Sequence, residues 1–71
     1  MPDGMTMGDA LPKEIARVRD DVLPVYLEIG MAGIPAATLM RASLDRASEA
    51  MISGDVVAMI RVYEDLKGYQ L

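Results

Sequence analysis

Residues 36–52 read AATLMRASLDRASEAMI, and the architecture turns on this stretch. At 3.6 residues per turn, Ala37, Met40, Leu44, Ala47 and Met51 fall on one apolar stripe. Leu39, Ala42 and Ala50 occupy the other side, interrupted chiefly by Arg46. The pattern predicts a helix over about 35–52 with two apolar sides, sandwiched between neighbouring helices. It is the expected centre of an all-α domain.

On its N-terminal side, Leu11, Ile15, Val18, Val22, Tyr26 and Ile29 recur at spacings of three and four, with Lys13, Glu14, Arg17, Asp20 and Asp21 opposite. This predicts a helix over about 11–29, with Asp9 as N-cap and Pro12 in the first turn. Pro24 removes one main-chain bond and crowds the preceding turn, so it kinks or breaks this helix; the continuing periodicity favours a kink. Residues 1–8 have no apolar period and read as an unstructured leader. The connector, Gly30 to Pro35, holds two glycines suited to positive φ and a proline suited to starting the next helix.

On the C-terminal side, Ser53-Gly54-Asp55 marks a helix end followed at once by an N-cap. A third helix over about 55–67 places Val56, Met59, Ile60, Tyr63 and Leu66 on one face, and leaves Val57 and Ala58 off it. The expected architecture is a three-helix bundle, or a helical hairpin preceded by a kinked N-terminal helix, forming a single helical domain over 9–71.

Composition narrows the function classes. The 71 residues are 52% hydrophobic and 25% charged, which is a globular composition, yet a chain this short buries only about 60% of its unfolded surface. Without cysteine no disulfide can reinforce it, and without histidine a structural zinc site lacks its usual ligands. Oligomerisation is the remaining route to extra stability. The formal net charge of −4 opposes a surface built to neutralise phosphates, so nucleic acid is not an expected partner. The longest uncharged run is twelve residues, against about 20 needed to span a bilayer, so no membrane segment is expected. The N-terminus lacks the basic and apolar regions of an export signal, which points to the cytoplasm.

Catalytic chemistry finds little material. No Ser or Thr stands at a suggestive spacing from an activating Lys or carboxylate. Asp45 and Glu49, four apart, could offer two carboxylates to a cation, but Arg41 and Arg46 answer them as ordinary helical ion pairs. No cofactor or metal is expected. Two helices meeting at Gly54 also fit a helix–turn–helix outline, although the second begins Val56-Val57-Ala58-Met59, with no base before Arg61.

The runs LPKEIARVRD, from Leu11, and SGDVVAMIRVYEDLKG, from Ser53, resemble small uncharacterised proteins carried by bacteriophages and prophages. The resemblance implies a helical fold and a bacterial or phage source, and assigns no catalytic residue. The expected function is therefore non-enzymatic: self-association or protein–protein interaction through Leu39, Ala42, Ala50 and Val57. A small DNA-binding regulator acting as a dimer is the alternative, and requires Arg17, Arg19, Arg41, Arg46 and Arg61 to converge on one face.

Overall fold

A reciprocal cap opens the first helix. In the computed structural model, which describes residues 6–71, Thr6 is extended and α1 runs Met7–Arg17. The Asp9 carboxylate accepts from the Thr6 N–H at 3.4 Å and from its hydroxyl at 3.0 Å. Asp9 is thus the third residue of the helix and Thr6 its N-cap, the pattern of a capping box. This corrects the expected start: Met7 and Gly8 are helical, and residues 1–5 of the expected leader lie outside the described residues. Pro12 consequently sits inside the helix, exposed to solvent, rather than in its first turn.

The chain then passes through one widened turn, Val18–Val22, in which the N–H of Leu23 reaches back five residues to the Val18 carbonyl. α2, Leu23–Glu28, follows directly with Pro24 in its first turn. A π turn beside a proline lets a helix continue past it, so Pro24 does not end the element. The added residue turns everything beyond it by about 100°. Val22 and Leu23 are therefore both buried, whereas Ile29, expected in the core stripe, is 57% exposed.

Gly30–Gly33 forms a single 3-10 turn. Gly30 has φ 86°, as expected of a left-handed glycine, but Gly33 has an ordinary φ of −87°. Its role is steric: a Cβ there would stand 1.9 Å from the Tyr26 carbonyl oxygen. α3, Ile34–Ser53, begins with Pro35 in its first turn and spans about 30 Å.

α3 buries Ala37, Met40, Ser43, Ala47 and Ala50, with Leu44 and Met51 half-buried, while Thr38, Arg41, Asp45 and Glu49 face solvent. The helix is therefore not sandwiched between two apolar seams. Ala50, only 4% exposed, belongs to the one broad buried side because it lies three residues from Ala47, on the same face.

Gly54, at φ 70°, closes α3 with its N–H on the Ala50 carbonyl. Asp55 then accepts from the Ala58 N–H at 3.1 Å, an N-cap that contributes about 1 kcal/mol, and α4 runs Val56–Lys67. Its buried residues are Met59, Val62 and Leu66. Ile60 and Val56, expected on the core face, are exposed; α4 is turned so that Val62 takes the inner position.

One hydrophobic cluster joins the helices, and no strand occurs among the described residues. α3 packs along α4 and also meets α2 and α1, while α1 packs on α4. Arg17 Nη2 donates to the Leu66 carbonyl at 3.0 Å and its Nε to Glu14 at 2.8 Å, which brings the end of α1 to the electronegative end of α4. The C-terminal residues fold back: the Tyr69 hydroxyl and the buried Ser43 Oγ share a hydrogen bond of 3.0 Å, and Tyr26 Oη donates to the Gln70 carbonyl at 3.3 Å. Arg46 Nη2 also donates to Ser43 Oγ, so this buried hydroxyl is well satisfied.

Candidate interaction surface

Once the core is assigned, two groups of the large apolar side chains left outside it lie at the two ends of α3, with Val25, Leu27, Leu39 and Leu71 exposed elsewhere. Ile29, Met31 and Ile34 are exposed around the connector that leads into it. Ile52, Val56, Val57 and Ile60 are exposed around the turn that leads out of it. Singly exposed apolar residues are ordinary, and here several lie within two adjoining helical turns.

The second group follows from how α4 is seated. Asp55 fixes where α4 begins, and Met59, Val62 and Leu66 fix which side faces inward. Ile60 and Val57 then lie about 160° and 140° around the helix from Val62, so they point away from the bundle. Arg61 and Glu64, both exposed, continue this outer side toward the C-terminus. Fully burying one Val or Ile side chain is worth about 1.5–3 kcal/mol, so four of them exposed at one end represent a substantial unused driving force.

The four residues proposed from sequence are dispersed. Val57, 61% exposed, stands in the group just described, and Leu39 is 62% exposed on α3. Ala42 is half-buried and Ala50 lies in the core. Leu39 is fourteen residues before the end of α3, or about 20 Å along the axis, so it and Val57 belong to no common patch. Sequence reasoning missed Ile52 and Ile60. Val62 carried the signal that would have found Ile60: it stands three residues after Met59 and four before Leu66, an inner stripe that excludes Ile60.

The charged groups lie mostly against one another. Arg19 pairs with its neighbour Asp20 at 2.8 Å, and this hydrogen bond holds the Asp20 carboxyl below its usual range and raises the Arg19 guanidinium. Both side chains are well exposed, so the pair contributes little to stability. Arg46 approaches Asp65 at 3.7 Å beside an open depression of about 240 Å³, lined also by Ala58, Arg61 and Val62. Arg46 and Arg61 thus share a surface with a carboxylate, whereas Arg17 is directed to the end of α4. Asp45 and Glu49 remain exposed on the outer side of α3. Among the described residues, no three potential metal ligands come together, and no helix is long and apolar enough to cross a membrane.

Compared with protein-family models, with curated proteins and with solved structures, the chain shows no match to any of them.

Proposed function

We propose that this chain is a non-enzymatic association module that works by binding a second copy of itself. The observation that carries the proposal is the clustering of Ile52, Val56, Val57 and Ile60 outside a core that is already closed without them. A domain of this size has a small core and no covalent reinforcement, so burying that group in an interface adds stability as well as contact. The surface offers anchors and a charged rim, the parts of an interface. It offers no converging nucleophile and base, which acyl or phosphoryl chemistry would need.

Thermal unfolding followed by circular dichroism tests this. When folding is linked to association, the midpoint rises with protein concentration. Over an about hundredfold range the expected result is a steady upward shift of several degrees. A midpoint that does not move with concentration would remove the proposal.

A further inference from the structure

We infer that the depression between α3 and α4 binds a small monocarboxylate with a short aliphatic body, held at its charged end by Arg46 and Arg61. The inference goes beyond the self-association reading and does not depend on it. α4 contributes Ala58, Arg61, Val62 and Asp65, which at spacings of three and four form one stripe along the flank of the helix, and α3 contributes Arg46. The depression has a volume of about 240 Å³, the share of about eight waters at roughly 30 Å³ each, so a ligand with a comparable number of heavy atoms fills it.

Charge decides the class of ligand. Two guanidiniums and one carboxylate line the depression, a local surplus of one positive charge in a chain whose net charge is −4. Asp65 stands 3.7 Å from Arg46 Nη2, close enough to offset part of its charge but too far for a hydrogen bond. Arg46 is nevertheless held in place: the same Nη2 donates at 3.0 Å to Oγ of the fully buried Ser43, which the Tyr69 hydroxyl holds in turn. Nε and Nη1 of Arg46, and the guanidinium of Arg61, have no hydrogen-bond partner among the described residues. Guanidinium donors match the two oxygens of a carboxylate. Ala58 and Val62 give the aliphatic body an apolar wall, and Asp65 repels a second negative charge, which disfavours phosphate and dicarboxylates.

Amide NMR of the full chain, titrated with isocaproate, tests this. The expected result is a saturable shift of the amides of residues 43–47 and 58–65, half-complete at about millimolar concentration, as suits an open site with few contacts. Isocaproamide, which has the body without the charge, and inorganic phosphate are each expected to bind about tenfold more weakly or worse. Arg46→Gln and Arg61→Gln replace exposed side chains, so helix content by circular dichroism is kept, and each should weaken isocaproate by about three- to tenfold. Asp65→Asn should strengthen it and admit phosphate. No saturable shift at these amides up to tens of millimolar, or arginine variants that bind as wild type does, would overturn the site. Equal binding of isocaproamide or of phosphate by wild type would overturn the ligand class. Neither readout changes if the chain proves to be a monomer.

Discussion

Replacing Gly33 with alanine is expected to destabilise the fold by about 3 kcal/mol or more, at the upper end of the overpacking range. The new Cβ would lie 1.9 Å from the Tyr26 carbonyl oxygen and 2.8 Å from its carbon. These are main-chain atoms, so no rotamer change can relieve the clash; the α2–α3 connection must open. A chain of this length has a total stability of about 4–10 kcal/mol, so the change removes a large share of it. Urea unfolding checks the prediction, with Gly30→Ala as comparison. Gly30 has a positive φ but open space around it, so alanine there should cost only about 1–2 kcal/mol of backbone strain. Equal losses at the two positions would show that close packing is not what Gly33 provides.

Leu66→Ala carries the second large effect, an expected loss of about 2–5 kcal/mol. Leu66 is fully buried where α4 meets the core, and its carbonyl receives the Arg17 guanidinium. Ile60→Ala, six residues earlier and 46% exposed, should cost the isolated monomer well under half as much. Urea unfolding of both variants at high dilution therefore determines which side of α4 faces inward. If Ile60→Ala were the more damaging change, the rotation of α4 described above would be wrong, and the proposed docking surface would lie in the core.

That rotation is also where the sequence was least legible. α4 carries two apolar series, one through Val56, Ile60 and Tyr63 and one through Met59, Val62 and Leu66, and periodicity alone does not rank them. Tertiary packing ranks them, because α1 and α3 cover the second. Ala50 was misplaced for a related reason: small residues mark both core and surface on a helix, and only its neighbours showed it to be inside. The helix ends were easier to read. Gly54 and Asp55 supply a left-handed cap and an N-cap with definite chemistry, and Pro35 starts a helix wherever it can.

Two local features had no signal that a helical period could carry. The widened turn at Val18–Val22 depends on how the chain accommodates Pro24, and one residue of shift there carried Ile29 out of the core stripe and left Leu23 buried. The Thr6–Asp9 cap was hidden by the low apolar content around it, although Thr-x-x-Asp is a recognisable opening. Of the four residues expected at an interface, Leu39 and Val57 are exposed, Ala42 is half-buried and Ala50 is buried, because a surface depends on the rotation of its helix, and the rotation on the core.

The central claim is that the chain covers its outlying apolar surface with a second copy of itself, and absolute mass in solution tests it most directly. Light scattering coupled to size exclusion, over an about hundredfold range of concentration, is expected to give a mass that rises toward twice the 7.7 kDa of one chain as concentration increases. A mass that holds at 7.7 kDa throughout, in a chain that remains helical and unfolds cooperatively, would contradict the account.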